Sequence, residues 1–207
     1  MIAGRRVHAL LLVVLVLGLL LRLIYSLSLD PLTPYIHASG DSGWYLANGY
    51  SLVTGLQPAS MVTEVSTLGV APVYLIVLGI AQALFAPEAA VIAVRVLQAI
   101  LGTATACFAY RLALLLTRDA AAGLLTAGII AFTPAFVLES GQITTETVYM
   151  FWVTAGLWLY VEAAARPADR RTGLLIGAAA LLGLATLTRA VLLLFPLGLA
   201  LHLLLIN

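Results

Sequence analysis

The chain has 207 residues, of which 63% are hydrophobic and 9% charged, and its formal net charge is +1. A soluble domain carries about 25% charged residues, so this chain lacks the polar surface that water requires and reads as an integral membrane protein. Near-neutral charge with no basic block excludes a nucleic-acid footprint, and the lone Cys107 excludes internal disulfides and multi-cysteine metal sites.

The apolar stretches are long and rich in Leu, Ala and Val, whereas barrel strands would alternate in segments of about ten. The expected fold is therefore an all-α polytopic bundle. Cys107, inside one such run, is expected to be a buried structural thiol. All ten cations are arginine, which removes lysine chemistry and leaves guanidinium as the fixed cation for binding phosphate.

The first apolar stretch, 7–29, is preceded by Arg5 and Arg6 and is long enough to cross about 30 Å of hydrocarbon at about 1.5 Å per residue. A cleaved signal peptide is the rival, on the strength of Ser26-Leu27-Ser28, but Arg22 interrupts the apolar region. An outer loop, 30–88, follows. Within it, 41–53 places Asp41, Trp44, Tyr45 and Asn48 on one helical face, with Leu46, Tyr50 and Val53 turned elsewhere. Trp and Tyr favour headgroup depth, so this is an expected interfacial helix. The stretch 70–86, opening Val70-Ala71-Pro72, lies at the lower limit for a crossing. Later crossings are expected at 89–116, 120–138, 147–165, 173–187 and 190–206.

If 70–86 does not cross, Arg5, Arg6, Arg111, Arg118, Arg166, Arg170 and Arg171 all fall at cytoplasmic ends, and Asp30, Asp41, Glu64, Glu88, Glu139 and Glu146 all fall outside. If it crosses, two arginine-bearing loops break the positive-inside rule. A surface or re-entrant helix at 70–86 with six crossings is therefore expected, with the N-terminus cytoplasmic. Pro87-Glu88 suits a first helical turn, Asp119 can cap the helix after Arg118, and Thr144 or Thr145 the one beginning near Glu146. Gly102, Gly123, Gly128, Gly156, Gly177 and Gly183 allow close helix packing. The last apolar span runs to Asn207, so a truncated catalytic domain is expected.

The candidates for chemistry are few. Asp41 occupies a first helical turn, where free N–H groups and the dipole favour the ionised carboxylate, a competent base. Glu146 begins a crossing helix on the same side, so the two acids can line one cavity; the competing reading is that each only caps its helix or meets the interface. Arg95 and Arg189 stand at outer ends against the positive-inside bias, where they can grip a lipid phosphate or merely snorkel. Arg22, deeper in its span, can pair with an acid or snorkel. His8 and His202 lie at cytoplasmic ends, His37 lies in the outer loop, and no zinc-ligand spacing is present. Phe151, Trp152, Trp158 and Tyr160 read as lipid or helix contacts. There is no Gly-rich phosphate loop and no Gly-x-Ser-x-Gly element.

Several pieces in order resemble the membrane glycosyltransferases of the GT-C superfamily, specifically glycosyltransferase family 39, which includes protein O-mannosyltransferases and aminoarabinose transferases of lipid A. They are Gly40-Asp41-Ser42-Gly43-Trp44-Tyr45, Ala71-Pro72-Val73-Tyr74-Leu75, Arg95-Val96-Leu97-Gln98-Ala99-Ile100-Leu101-Gly102, Thr144-Thr145-Glu146-Thr147 and Leu187-Thr188-Arg189-Ala190. The resemblance implies a GT-C-type helix bundle, with Asp41 as catalytic base and Glu146 lining the same cavity. It also implies a sugar donor on a polyprenyl phosphate, with inversion at the anomeric carbon. Tyr45, Arg95 and Arg189 are the expected substrate-binding residues. Many relatives have Lys or Arg where this chain has Ala71, so phosphate binding falls to Arg95 or Arg189; many also have Asp-Glu where Ser42 follows Asp41. The resemblance also implies later helices and an outer domain, which are expected to be missing from these 207 residues.

The expected activity is transfer to a lipid, glycan or protein hydroxyl on the extracytoplasmic side of the inner membrane, in cell-envelope glycan or lipopolysaccharide biosynthesis. Membrane lipids are partners, no cofactor is fixed, and a divalent cation is one option without a dedicated metal site. The rivals are a transporter or flippase-like component, which would show broken helices and paired repeats, and an inactive fragment.

Overall fold

The computed structural model describes residues 2–36, 41–56 and 72–205. His37, Gly40, Glu64, Val70, Ala71 and Asn207 lie outside the described residues. Every described element is helical: α1 (Ile2–Ser28), α2 (Thr33–Ile36), α3 (Asp41–Thr54), α4 (Pro72–Leu84), α5 (Pro87–Thr117), α6 (Ala120–Phe132), α7 (Pro134–Gly141), α8 (Glu146–Ala164), α9 (Ala168–Thr186), a 3₁₀ turn at Ala190–Leu192, and α10 (Phe195–Leu205). The protein is an all-α membrane protein. The Arg6–Ser28 part of α1 and the 31-residue α5 are long and apolar enough to cross a bilayer, and α6 with α7, bent by 47°, reach that length and apolarity only when taken together. The helices α8 and α9 have 19 residues each, about 28 Å, with Glu146 and Glu162 near the ends of the first and Arg170 and Arg171 near the start of the second.

Helix lengths follow from local chemistry. Thirteen residues give α4 a length of about 20 Å, short of the hydrocarbon core. Pro87 starts α5 at a position where no N–H is needed. Arg118 ends it in the left-handed conformation (φ 58°), donating its N–H to Leu114 O. The Asp119 carboxylate then caps α6, accepting from the N–H groups of Ala121 (2.9 Å) and Ala122 (3.4 Å). The stretch 190–206 divides into the 3₁₀ turn and the 11-residue α10, with Pro196 in its first turn.

Pro134 breaks the fourth apolar stretch, because it offers no N–H to the carbonyl of Ile130. Arg22 fills the gap. Fully buried, it donates from Nη2 to Ile130 O (2.6 Å) and from Nη1 to Ala131 O (2.8 Å), while also bonding Gly18 O in its own helix (3.2 Å). The expectation that Arg22 pairs with an acid or snorkels is thus corrected: its partners are backbone carbonyls orphaned by a proline 112 residues later in the chain. The bend is also the broken-helix signature expected of a transporter, but here its freed carbonyls are satisfied by a side chain.

Three further expectations change. Thr145 sits at the start of α8 with helical dihedrals and makes no capping bond, its hydroxyl meeting the Glu146 carboxylate at 3.4 Å. Thr144 instead donates to Glu139 Oε2 (3.0 Å). Cys107 is only partly buried. Gly102, Gly123, Gly156 and Gly177 do sit against neighbouring helices, whereas Gly128 and Gly183 face open space.

The α3–α4 pair is held tightly. A Cβ on Gly79 would lie 2.2 Å from Gly49 O, so α3 and α4 cross at a distance that only these two glycines allow. Leu46, Tyr74, Leu78, Val91, Val94 and Val148 join α3 and α4 to α5 and α8 in one apolar cluster. Asn48 is buried with Leu46, bonding Trp44 O (2.8 Å), so it does not share the open face with Asp41 as its spacing suggested.

Candidate functional site

One end of the bundle gathers the residues singled out in the sequence. The end of α1, the start of α5, the 142–145 turn and the 187–189 turn meet there through polar contacts. Arg95 ties α5 to the ends of α1 and α7: Nε donates to Gly141 O (3.0 Å), Nη1 to Leu29 O (2.9 Å) and Nη2 to Asp30 O (3.3 Å). It is 3% exposed. Gln98, one turn on, accepts from the Tyr74 hydroxyl (2.7 Å) and donates to Ser140 O (3.1 Å) and Gln142 O (2.6 Å). A glutamine within an apolar crossing helix is expensive to bury, and each of its hydrogen-bonding groups is used. Together, Arg95 and Gln98 fix the turn that precedes Glu146.

Glu146 begins α8, and Arg189 reaches it from the far end of the α8–α9 hairpin, Nη1 bonding Oε1. Both side chains are about 40% exposed, at 39% and 42%. The guanidinium also lies 5.9 Å above the Tyr149 ring. The turn carrying Arg189 is pinned to the α3–α4 pair, because Val73 N–H at the start of α4 donates to Leu187 O (3.0 Å). Thr188 is buried and bonds Leu184 O (2.7 Å), fixing where the chain leaves α9.

The two halves meet at Tyr74. Its ring packs edge-on against Tyr45 at 5.6 Å, and burial, then Tyr45 and the Glu146 carboxylate, push its phenol well above its ordinary range. Tyr74 therefore stays a neutral donor to Gln98. Asp41 lies one turn before Tyr45, exposed, in the first turn of α3. Tyr45, Tyr74, Glu146 and Arg189 thus form a continuous group, with Asp41 on the adjoining open turn.

Arg95 and Arg189, equivalent candidates in the sequence, separate here. Arg95 is enclosed by carbonyls, and Arg189 is open and faces a carboxylate. A cavity of about 220 Å³ lies beside Glu146, among α1, α5, α6, α7 and α8. Glu139, Thr147 and the far-off Arg22 also line it. Sequence reasoning put Glu139 at this end and quoted Tyr74 and Gln98 within the family-like pieces, but it named none of these, nor Tyr149, as a site residue. Gln98 carried a signal, since a lone amide in the middle of a crossing helix needs partners. Among the described residues, no three His, Cys, Asp or Glu side chains converge as metal ligands.

Residues 59–207 match the family of dolichyl-phosphate-mannose-protein mannosyltransferases. The chain belongs to that family. The match takes in Arg95, Glu146 and Arg189 but begins after Asp41 and Tyr45. Membership makes this membrane protein a glycosyltransferase, and the family's description specifies a lipid-linked mannosyl phosphate and a protein as its substrates. No match to the chain was found among curated proteins or among solved structures.

Proposed function

We propose that this chain carries out inverting transfer of a sugar from a polyprenyl-phosphate donor to an acceptor hydroxyl at the extracytoplasmic face of the cell's inner membrane. One observation carries the reading: an exposed guanidinium, Arg189, is held beside Glu146 and bonded through its own turn to the interfacial helix pair that bears Asp41. A carrier lipid lying in the bilayer brings its phosphate to that depth, and an arginine fork matches phosphate geometry.

In this reaction the acceptor oxygen attacks the anomeric carbon as the carbon–oxygen bond to phosphate breaks. The hydroxyl proton passes to Asp41, and the polyprenyl phosphate leaves against Arg189. Glu146 lines the cavity and orients Arg189, while Tyr45, packed edge-on against Tyr74, offers its ring to the substrate. Arg95 braces the turn before Glu146. The acceptor class favoured is protein, following the family's description, with lipid or glycan hydroxyls as the other substrates of the same chemistry.

The orientation follows charge. Arg111, Arg118, Arg166, Arg170 and Arg171 belong to the end opposite Glu146, which gives that end to the cytoplasm together with the N-terminus. Both α8 and α9 then cross as well. Asp41→Asn tests the mechanism. In purified chain, sugar transfer from polyprenyl-phosphate-mannose is expected to fall about 10²–10⁴-fold, the usual range for a lost general base, with expression unchanged. Unaltered turnover in that variant would falsify Asp41 as the base.

A further inference from the structure

Arg111 is an exposed cation on the side of α5 that the bundle leaves uncovered. Leu97 and Ile100 are exposed further along the same helix, and positions 97, 100 and 111 recur at spacings that keep them on one side. Arg111 nonetheless lies more than one turn before Thr117, where α5 ends. A guanidinium facing hydrocarbon at that depth is expensive, and among the described residues its side chain has no ion pair or hydrogen bond. Arg118 adds a second such cation at the helix end. It holds the left-handed conformation (φ 58°), which glycine adopts at least cost, so a long cation is kept where the backbone alone favours glycine. The described acids at this end are engaged elsewhere. Both Asp119 oxygens accept from N–H groups of α6, and Glu162 pairs with Arg166. One turn deeper than Arg111, Phe108 stacks on Trp158 of α8 with ring centroids 5.2 Å apart, so two rings close the α5–α8 seam there. Tryptophan favours headgroup depth.

We infer that Arg111 and Arg118 hold the phosphate of an anionic phospholipid from the leaflet at this end, with Phe108 and Trp158 beneath its glycerol and first acyl carbons. No step of the transfer reaction depends on this contact, which lies at the end of the bundle opposite Glu146. Charge complementarity selects the ligand. A phosphate that carries no amine of its own offers an unbalanced anion to two guanidinium forks. Positions 111 and 118 are separated by about 10 Å along the axis, within the combined reach of two arginine side chains. A zwitterionic headgroup brings its own cation against them. A soluble anion lacks the acyl chains that would cover the rings and the exposed apolar side of α5.

The full chain in detergent, titrated with phosphatidylglycerol or phosphatidylcholine and read by native mass spectrometry, supplies the test. The first phosphatidylglycerol is expected to bind about 30-fold more tightly than phosphatidylcholine, since each arginine near a charged headgroup contributes about fivefold. Arg111→Gln and Arg118→Gly are each expected to lose about fivefold of that preference, and the double variant nearly all of it. Arg118→Gly also relieves the left-handed backbone, so its thermal midpoint in phosphatidylcholine is expected to stay at or above that of the wild type, which separates lipid loss from misfolding. Arg166→Gln removes the same charge from the same end, but from a guanidinium already held by Glu162, and is expected to leave the preference within about twofold. Equal wild-type affinities for the two lipids would overturn the proposal. Equal losses in Arg111→Gln, Arg118→Gly and Arg166→Gln would also overturn it, by assigning the preference to net charge alone.

Discussion

Replacing Arg189 with Met is expected to lower kcat/KM for the lipid-linked donor about 10- to 100-fold, mainly through KM, with bare polyprenyl phosphate also losing its power to inhibit. The size follows from comparing two interactions of the same guanidinium. Its pair with Glu146 is about 40% exposed on both sides, and exposed pairs contribute about 0–1 kcal/mol. Charge-assisted hydrogen bonds to a phosphate contribute about 1.5–3 kcal/mol. The phosphate therefore wins the fork when it arrives. The same comparison favours Arg189 over Arg95, since turning Arg95 to a ligand breaks bonds to Gly141, Leu29 and Asp30 and unpins the ends of α1 and α7. Arg189→Lys keeps the charge without the fork and is expected to recover part of the loss. Steady-state kinetics with the donor varied at fixed acceptor measures all three proteins, and an unchanged KM in Arg189→Met would remove Arg189 from the carrier phosphate.

The second large effect concerns stability. Arg22→Met leaves the carbonyls of Ile130 and Ala131 without the donors they now have. Unsatisfied buried groups cost about 1–3 kcal/mol each, offset in part by no longer burying a cation. A net loss of about 2 kcal/mol is expected in reversible unfolding from mixed micelles. The cause is testable by a cycle. In a Pro134→Ala background, residue 134 regains an N–H for Ile130 O, so the same Arg22→Met change is expected to cost about 1 kcal/mol less. Equal losses in both backgrounds would mean that Arg22 does not serve the break at Pro134.

The parts of this fold that a reader of the sequence can reach are those governed by local chemistry. Pro87 and Asp119 act on residues within one turn, and the limits of α3 follow from the polar residues at 41 and the glycine at 55. The helix α4 is short because the apolar run itself is short. Partnerships across the bundle are less accessible. Nothing near Arg22 announces a carbonyl freed by Pro134, and Arg95 looks as available as Arg189 until the ends of α1 and α7 close around it. One long-range contact did carry a countable signal. With the connection between α8 and α9 centred at about position 168, positions roughly equally distant from that centre face one another, as Gly156 faces Leu182 and Gly177 faces Leu159. Continuing that register brings Glu146 to Arg189. Asn48 shows the opposite failure: helical spacing placed it beside Asp41, but the close approach of α4 at Gly49 turned that side of α3 inward.

Compartment-specific labelling reaches the heart of the mechanism, in which Asp41 and Glu146 act from one side of the membrane. With Cys107 replaced by Ala, single cysteines are introduced at Ser42, Thr144 and Arg118, and sealed cells are treated with a membrane-impermeant maleimide. Ser42→Cys and Thr144→Cys are expected to react from outside, and Arg118→Cys only after lysis. Reaction of the 42 and 144 positions from opposite sides would contradict a shared catalytic site.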